Sequence, residues 1–398
     1  MPFVLYLLAV AVFAMGTSEF MLGGLVPVIA DSLGVSVSTA GLLTSAFAVG
    51  MLVGAPAMAI LARRWSPRAS LLVFLLLFSA MHVVGALTTS FGTLLATRVI
   101  AALANAGFLA VALSVVGTLV GTEATGRALA VLLSGTTLAT IAGVPAGALL
   151  GRLFDWRATF WAVALLCVPA AFGVVRGLAS TTESTARSGA GHRLRAELAQ
   201  LAAPRLLLVM LLGALVNAGT FAAFTFLAPV VTDVAGLDDF WVPAALVLFG
   251  VGSFVGVTIA GRLSDRRPDI AISVGGPLLT VGWLVMAATA HQPVILLTSM
   301  LVQGALAFGV GSTFIARILH EAAGAPTMAG AYATAALNVG AAAGPALAAL
   351  TISTRAGDLG PVWVGAALAA AATVVAVPLR RVLAPRLEAI APGSDRLG

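Results

Sequence analysis

"FAMGTSEFMLGGLVPVIADSL", from Phe13 to Leu33, belongs to an apolar run that starts at Phe3 and is interrupted by a single carboxylate, Glu19. About 20 mostly apolar residues suffice to cross the hydrocarbon of a bilayer. The run therefore reads as a membrane span, and an acid inside it is costly enough to need a purpose. It has no basic n-region and no small-residue cleavage site, which favours a first span over a signal peptide.

The rest of the chain asks for the same solvent. Its 398 residues are 60% hydrophobic and 9% charged, against about 25% charged in a soluble domain. Mean hydropathy is +1.09. Cutting at charged, proline and polar clusters leaves twelve candidate spans near 3–26, 39–61, 69–89, 93–118, 127–150, 158–177, 205–231, 241–261, 270–290, 293–316, 327–351 and 360–379.

The formal net charge of +6 rests on 21 arginines and no lysine. With both termini cytoplasmic, 17 arginines fall in inner loops and the C-terminal tail. Three, Arg152, Arg157 and Arg355, fall in outer loops, and Arg98 falls within a span. That is the positive-inside bias of an inner-membrane protein. It explains the basic character without a nucleic-acid partner. The one cysteine, Cys167, excludes an internal disulfide and a CxxC metal site, and reads as a small apolar residue of a span.

The longest polar stretch, residues 178–204, is rich in Ser, Thr, Gly and Arg and reads as a cytoplasmic linker, with room for an amphipathic turn near Leu194–Leu201. The chain then divides into an N-terminal six-helix bundle (1–177), the linker (178–204), a C-terminal six-helix bundle (205–382) and a cytoplasmic tail (383–398). The halves repeat at an offset of 202. Leu25, Pro27, Val28 and Asp31 fall on Leu227, Pro229, Val230 and Asp233; Phe47, Gly50 and Gly54 on Phe249, Gly252 and Gly256; Gly107 on Gly309. The fold class expected is an all-α membrane protein of twelve transmembrane helices in two pseudo-symmetric six-helix bundles. Parallel repeats of this kind are a transporter design, with substrate held between the halves near the midplane.

Helices in lipid associate closely through small residues. Glycines spaced by four occur in spans 2, 5, 8 and 11: Gly50 and Gly54; Gly143, Gly147 and Gly151; Gly252 and Gly256; Gly340 and Gly344. They read either as a sliding contact between the halves or as small-residue packing within one half. Pro145 and Pro345 each remove a helix hydrogen bond and so introduce kinks.

Three motifs carry a resemblance. "GRLSDRRPD" from Gly261 is similar to the loop between the second and third spans of each half of the major facilitator superfamily. "AGVPAGALLG" in span 5 resembles that superfamily's antiporter motif, and "TRVIAALANAGF", with Arg98 and Gly107, its span-4 motif. The opening, "GTSEFMLGGLVPVIADSLGVSVSTAGLLTSAFAVGM", is similar to drug:proton antiporters, most of all to bacterial chloramphenicol-resistance exporters. The resemblance covers essentially the whole chain and implies the major facilitator fold. It also implies gating roles for Gly143, Pro145, Gly147 and Gly151 in span 5 and for Asp265 with Arg266 in the loop; for Gly252 and Gly256 in span 8 the conformational role is read from the glycine spacing. The first-half loop, "LARRWSPRAS", departs from the pattern: Arg63 stands where the second half has Asp265. The brace between that acid and an arginine is expected only for Asp265 and Arg266, and plain positive-inside topology remains the other reading of the loop.

Of the fifteen acids, only Glu19 lies well inside a span, and its repeat partner is Phe221. An ionised carboxylate at mid-bilayer costs about 2.5–3.5 kcal/mol, a cost that taking up a proton removes. A group poised in this way can couple to a proton gradient. At 1.5 Å per residue, Glu19 lies about 24 Å along span 1, and Arg98 about 8 Å from the outer face, so the two share a depth. One reading makes Glu19 and Arg98 exchange partners in a proton cycle. The other makes them a static ion pair joining spans 1 and 4.

Met15, Phe20, Met21, Phe221, Phe224 and Phe226 are candidates for an apolar, adaptable drug pocket, with plain packing the stronger reading of any one of them. Asn105, Asn217 and Asn338 are the candidate polar contacts, with helix bridging as the alternative. His82 is a weaker candidate for proton transfer. The expected function is proton-coupled export of a small, mostly uncharged drug, chloramphenicol first, by alternating access. An exporter of sugars or nucleosides would need more hydrogen-bonding groups in its spans, and a receptor or scaffold would have no use for the repeat. No P-loop, zinc-ligand spacing or hydrolase elbow points to an enzyme, a metal or a cofactor. The partners expected are the drug, protons and the lipid bilayer, and the chain reads as a monomer.

Overall fold

The structure, a computed structural model, describes residues 2–61, 65–120, 125–178, 197, 199–266, 272–325 and 328–376. Helices joined by short turns and connections make up this range. In the first half the elements are α1 (Phe3–Phe20), α2 (Val26–Leu33), α3 (Val37–Leu61), α4 (Pro67–Leu87), α5 (Phe91–Leu119), α6 (Thr125–Leu138), α7 (Val144–Leu153) and α8 (Trp156–Gly177). In the second they are α9 (Pro204–Thr225), α10 (Trp241–Arg266), α11 (Gly275–Thr289), α12 (Pro293–Glu321), α13 (Ala329–Ile352) and α14 (Gly360–Ala376). Caps begin several of them where the sequence offers a hydroxyl. Ser66 accepts from the Ala69 amide ahead of α4, and Ser90 from the Thr93 amide ahead of α5.

Among the described residues, eleven helical stretches are long and apolar enough to cross a bilayer, and α11 is a shorter apolar helix of 15 residues. Their outer faces are covered with large apolar side chains that water would reject, such as Leu165 at 65% exposure and Ile259 at 58%. The chain is a multi-pass membrane protein. Of the ninth candidate span, 270–290, the helix Gly275–Thr289 lies within the described residues.

Two spans expected to be continuous are broken. The first stops as an α-helix at Phe20, tightens into a 3-10 turn at Met21–Gly24 and restarts at α2 with Pro27 in its opening turn. The paired Gly23 and Gly24 weaken helix propagation, and Pro27 lacks the amide that would continue the ladder. The seventh breaks at the equivalent place, where α9 ends at Thr225. A single turn, Leu227–Pro229, and a π-helical turn, Val230–Val234, follow. Pro229 is Pro27 shifted by 202, so the repeat in sequence reappears as a repeated break. In span 5, a π turn at Ala139–Gly143 stands between α6 and α7. Pro145 cannot bond back to its i−4 carbonyl, and the wider turn absorbs the gap.

Buried apolar residues form two large clusters. One is built mainly from residues 4–178 and the other mainly from residues 206–376. A small third cluster, Ala48, Phe221 and Ala341, joins them.

The glycine stripes pack within halves, not between them. A Cβ at Gly50 or Gly54 would meet α5, at Gly252 or Gly256 it would meet α12, and at Gly340 or Gly344 it would meet α9. Gly143, Gly147 and Gly151 face Thr17, Thr159 and Leu25, all in the first half. The expectation of a sliding contact built on these stripes is therefore corrected. The physical reason is that a four-residue glycine spacing brings backbones together, as the tight pairs inside each half require. The halves meet through other residues: Gly23 against Phe224, Gly24 against Leu246, Gly41 against Phe226, and Gly250 against Thr140 and Ile141. Gly34, with φ +64, ends α2 in the left-handed conformation that turns the chain back into α3.

Asp265 and Arg266 close α10, and their side chains lie outside the described residues, as do Arg63, the tail 383–398 and most of the linker 178–204. Of the turn expected near Leu194–Leu201, a 3-10 turn at Gln200–Ala202 is described. Glu197 is buried there. Its carboxylate accepts from the Met328 amide, and its carbonyl accepts from the Tyr332 hydroxyl.

Candidate functional site

The break after α1 places Glu19 and Phe20 at the end of a helix rather than in its middle. Glu19 is partly exposed, and among the described residues it forms no ion pair. Its expected partner is close enough for the two charges to act on one another, yet Arg98 is engaged elsewhere. The guanidinium of Arg98, 1% exposed, donates from Nη1 to the Ser18 hydroxyl and from Nη2 to the Ser18 carbonyl, each at 2.7 Å. It also lies over the Phe47 ring, 4.3 Å from the centroid. The last carbonyls of a helix lack intrahelical partners, and a cation there is favoured by the helix dipole. Arg98 thus caps α1 and leaves Glu19 unpaired. A static Glu19–Arg98 ion pair is not what this arrangement contains.

His82, on α4, is 1% exposed and joins the same group. Its Nε2 stands 2.7 Å from the Ser18 hydroxyl and its Nδ1 2.8 Å from the Phe78 carbonyl. Its place facing α1 was not legible in sequence, where α4 offered no reason to prefer that face over lipid.

Next to Glu19, Phe20 enters an aromatic cluster between the two halves. Its ring is 5.6 Å from Phe221, 6.2 Å from Phe224 and 6.2 Å from Phe308. Phe249 completes the cluster, 5.0 Å from Phe224 and 5.9 Å from Phe308. Phe20, Phe221 and Phe224 were expected to line a pocket and are brought together. Phe249 and Phe308 were missed. Phe249 was visible only as a repeat match to Phe47, and Phe308 carried no signal.

The remaining candidates are placed differently. Met15 and Met21 are fully buried in the first-half cluster, where they act as packing. Asn105 is buried on α5. The Asn217 amide donates to the Leu337 carbonyl at 2.6 Å and bridges α9 to α13. Asn338 donates within α13, to Thr334. Both asparagines spend an amide hydrogen on backbone.

At the end of the bundle away from Phe3, Arg152 of α7 reaches the second half. It bonds Asp238 at 3.3 Å, pairs with Asp239, and lies 3.8 Å from the centroid of Phe240. On α13, the residues packed against the first-half cluster, Ala348, Ala349 and Ile352, lie toward this same end. Those nearer the other end, Ala329, Tyr332 and Ala336, pack in their own half.

The arrangement is a broken helix bearing an acid, set beside an aromatic cluster between two halves. The chain is 66% identical over 383 residues to a chloramphenicol resistance protein of Streptomyces lividans, covering 96% of this chain and 97% of that one. It is 34% identical over 352 residues to the inner membrane transport protein YdhP of Escherichia coli K12, covering 88% and 89%. A mutant of the nucleoside transporter NupG has the same fold, with a TM-score of 0.77 at 14% identity over 96% of this chain and 99% of that one. Residues 8–345 match the family model described as Major Facilitator Superfamily, and the chain belongs to that superfamily of membrane transporters.

Proposed function

We propose that the chain exports a small, mostly apolar drug, chloramphenicol first, in exchange for protons. Twelve spans work as two pseudo-symmetric six-helix bundles (1–177 and 205–382) in the inner membrane, with both termini cytoplasmic and α11 as the ninth span. The 66% identity to a chloramphenicol resistance protein supports the substrate, and the bias of arginine to one side supports the orientation.

The observation that carries the proton role is Glu19: the one acid deep in a span, at a helix break, without an ion pair among the described residues, and next in chain to Phe20 of the aromatic cluster. When the site faces outward, Glu19 takes up a proton as drug leaves. When it faces inward, the proton is released and drug binds against Phe20, Phe221 and Phe224. With a neutral drug and one proton per cycle, net charge moves, and the membrane potential adds about 2.3 kcal/mol per 100 mV. In the assigned orientation, the Arg152 contact closes the outer side, so this conformation loads from the cytoplasm. A sugar or nucleoside would compete for amide hydrogens that Asn217 and Asn338 already commit to backbone.

The test is Glu19→Gln in reconstituted vesicles. Uphill, gradient-driven chloramphenicol transport is lost, while downhill counterflow by the inserted protein persists. Full uphill export by the variant rejects the reading.

A further inference from the structure

With His82 neutral, the hydrogens around Ser18 run in one direction. A carbonyl can only accept, so His82 Nδ1 carries the hydrogen given to Phe78. A second cation buried beside the Arg98 guanidinium is disfavoured, so the ring is neutral, and its bare Nε2 accepts from the Ser18 hydroxyl. That leaves the Ser18 oxygen lone pairs for the Arg98 Nη1 hydrogen. The order is Arg98 Nη1 to Ser18 to His82 to Phe78, with each donor along this line matched and His82 neutral. The imidazole is held by more than its hydrogen bonds, since its ring lies 4.3 Å from Phe78 and 5.6 Å from Phe160.

We propose that His82 is a positioning residue for the transport cycle: acting through Ser18, it holds the Arg98 guanidinium on the end of α1 and away from the Glu19 carboxylate. The inference rests on the proton role proposed for Glu19. Without the Nε2 acceptor the Ser18 hydroxyl rotates freely, and Arg98 keeps one firm bond, to the Ser18 carbonyl. Its Nε already lacks a partner among the described residues. The nearest anion is Glu19. A guanidinium brought against that carboxylate favours its charged form, and the carrier then loads its proton less readily.

Other ionisable groups do not compete for this part. Helix α1 packs against α3, α5, α6, α7 and α8, and α3 carries no ionisable side chain. Arg98 is the only such residue of α5. Arg127 of α6 and Arg176 of α8 lie toward the end of Phe3, and Arg152 and Arg157 toward the opposite end. Cys167 of α8 donates to Val163 on its own helix. Across the interface, α9 has only Arg205, in its first turn. In α10, Arg262, Asp265 and Arg266 all fall in the last turns.

The experiment measures drug transport by the full chain in vesicles against the pH of the compartment that receives drug. In His82→Leu the pH of half-maximal rate moves down by about one unit, the effect of an added cation beside a carboxylate. Ser18→Ala, which cuts the same link from the other side, moves it likewise. His82→Gln, whose side-chain oxygen can accept from Ser18, stays at the wild-type value. A His82→Leu protein that inserts normally and keeps the wild-type pH profile overturns the proposal, as does His82→Gln behaving like His82→Leu. If His82→Leu fails to insert, Ser18→Ala decides alone. A wild-type rate that ignores pH defeats the Glu19 reading instead.

Discussion

Arg152, at the end of α7, reaches across the two halves to Asp238 at 3.3 Å, its guanidinium carbon 3.8 Å from the centroid of the Phe240 ring. Exposed ion pairs contribute about 0.2–1 kcal/mol and an exposed cation–π contact about 0.5–1 kcal/mol. Asp238 is two-thirds exposed, so roughly 1 kcal/mol in all is the reasonable sum for this latch. It is enough to bias two conformations about fivefold without locking either.

Arg152→Ala therefore opens this end more often. In a Cys167→Ser background, a single cysteine replacing Ala148, buried under the latch beside Gly24, reacts several-fold faster with an impermeant maleimide added from that side. An unchanged labelling rate means the latch does not hold the halves together.

The aromatic cluster gives a second expectation. Phe221 contributes one ring to both Phe20, at 5.6 Å, and Phe224, at 6.3 Å. Aromatic pairs are worth about 0.5–1.5 kcal/mol beyond area. Phe221→Ala raises the KM for chloramphenicol transport roughly 3- to 10-fold and leaves the pH profile in place, because Glu19 and Arg98 are untouched. Phe308→Ala does the same through its contact with Phe20 at 6.2 Å. A shifted pH profile with unchanged KM would assign the cluster to proton coupling rather than to drug.

The spans were legible because hydrocarbon imposes one rule on every residue, and Glu19 stood out because it breaks that rule. The repeat at 202 residues matched Pro27 to Pro229, yet the spans were read as continuous, and the break at each proline came only with the structure. Partnership was harder. Opposite charge and shared depth matched Glu19 to Arg98, but depth says nothing about rotation around a helix axis. The nearest satisfying groups for the guanidinium were the hydroxyl and carbonyl of Ser18, one residue away. The glycines failed for a similar reason. Their spacing announces close backbone approach but not which neighbour approaches, and Gly252 turned to α12 while Gly250, two residues earlier, turned to the other half.

That pair of glycines separates packing from motion. A side chain at Gly252 would strike the carbonyl of Leu301 within the second half, a tight contact needed for that half to form. Gly252→Val lowers the yield of monodisperse protein, and what survives transports at a near-normal rate per molecule. A side chain at Gly250 would strike Thr140 in the π turn of span 5, across the interface. Here each half can still fold, and the cost falls on bringing the halves together at this face. Gly250→Val keeps its yield and loses turnover. Its Ala148→Cys probe is labelled faster from the Arg152 end, since the closed state is the one the added methyls oppose. Equal loss of yield at both positions would mean that the Gly250 contact, too, is needed for folding and does not belong to the moving interface.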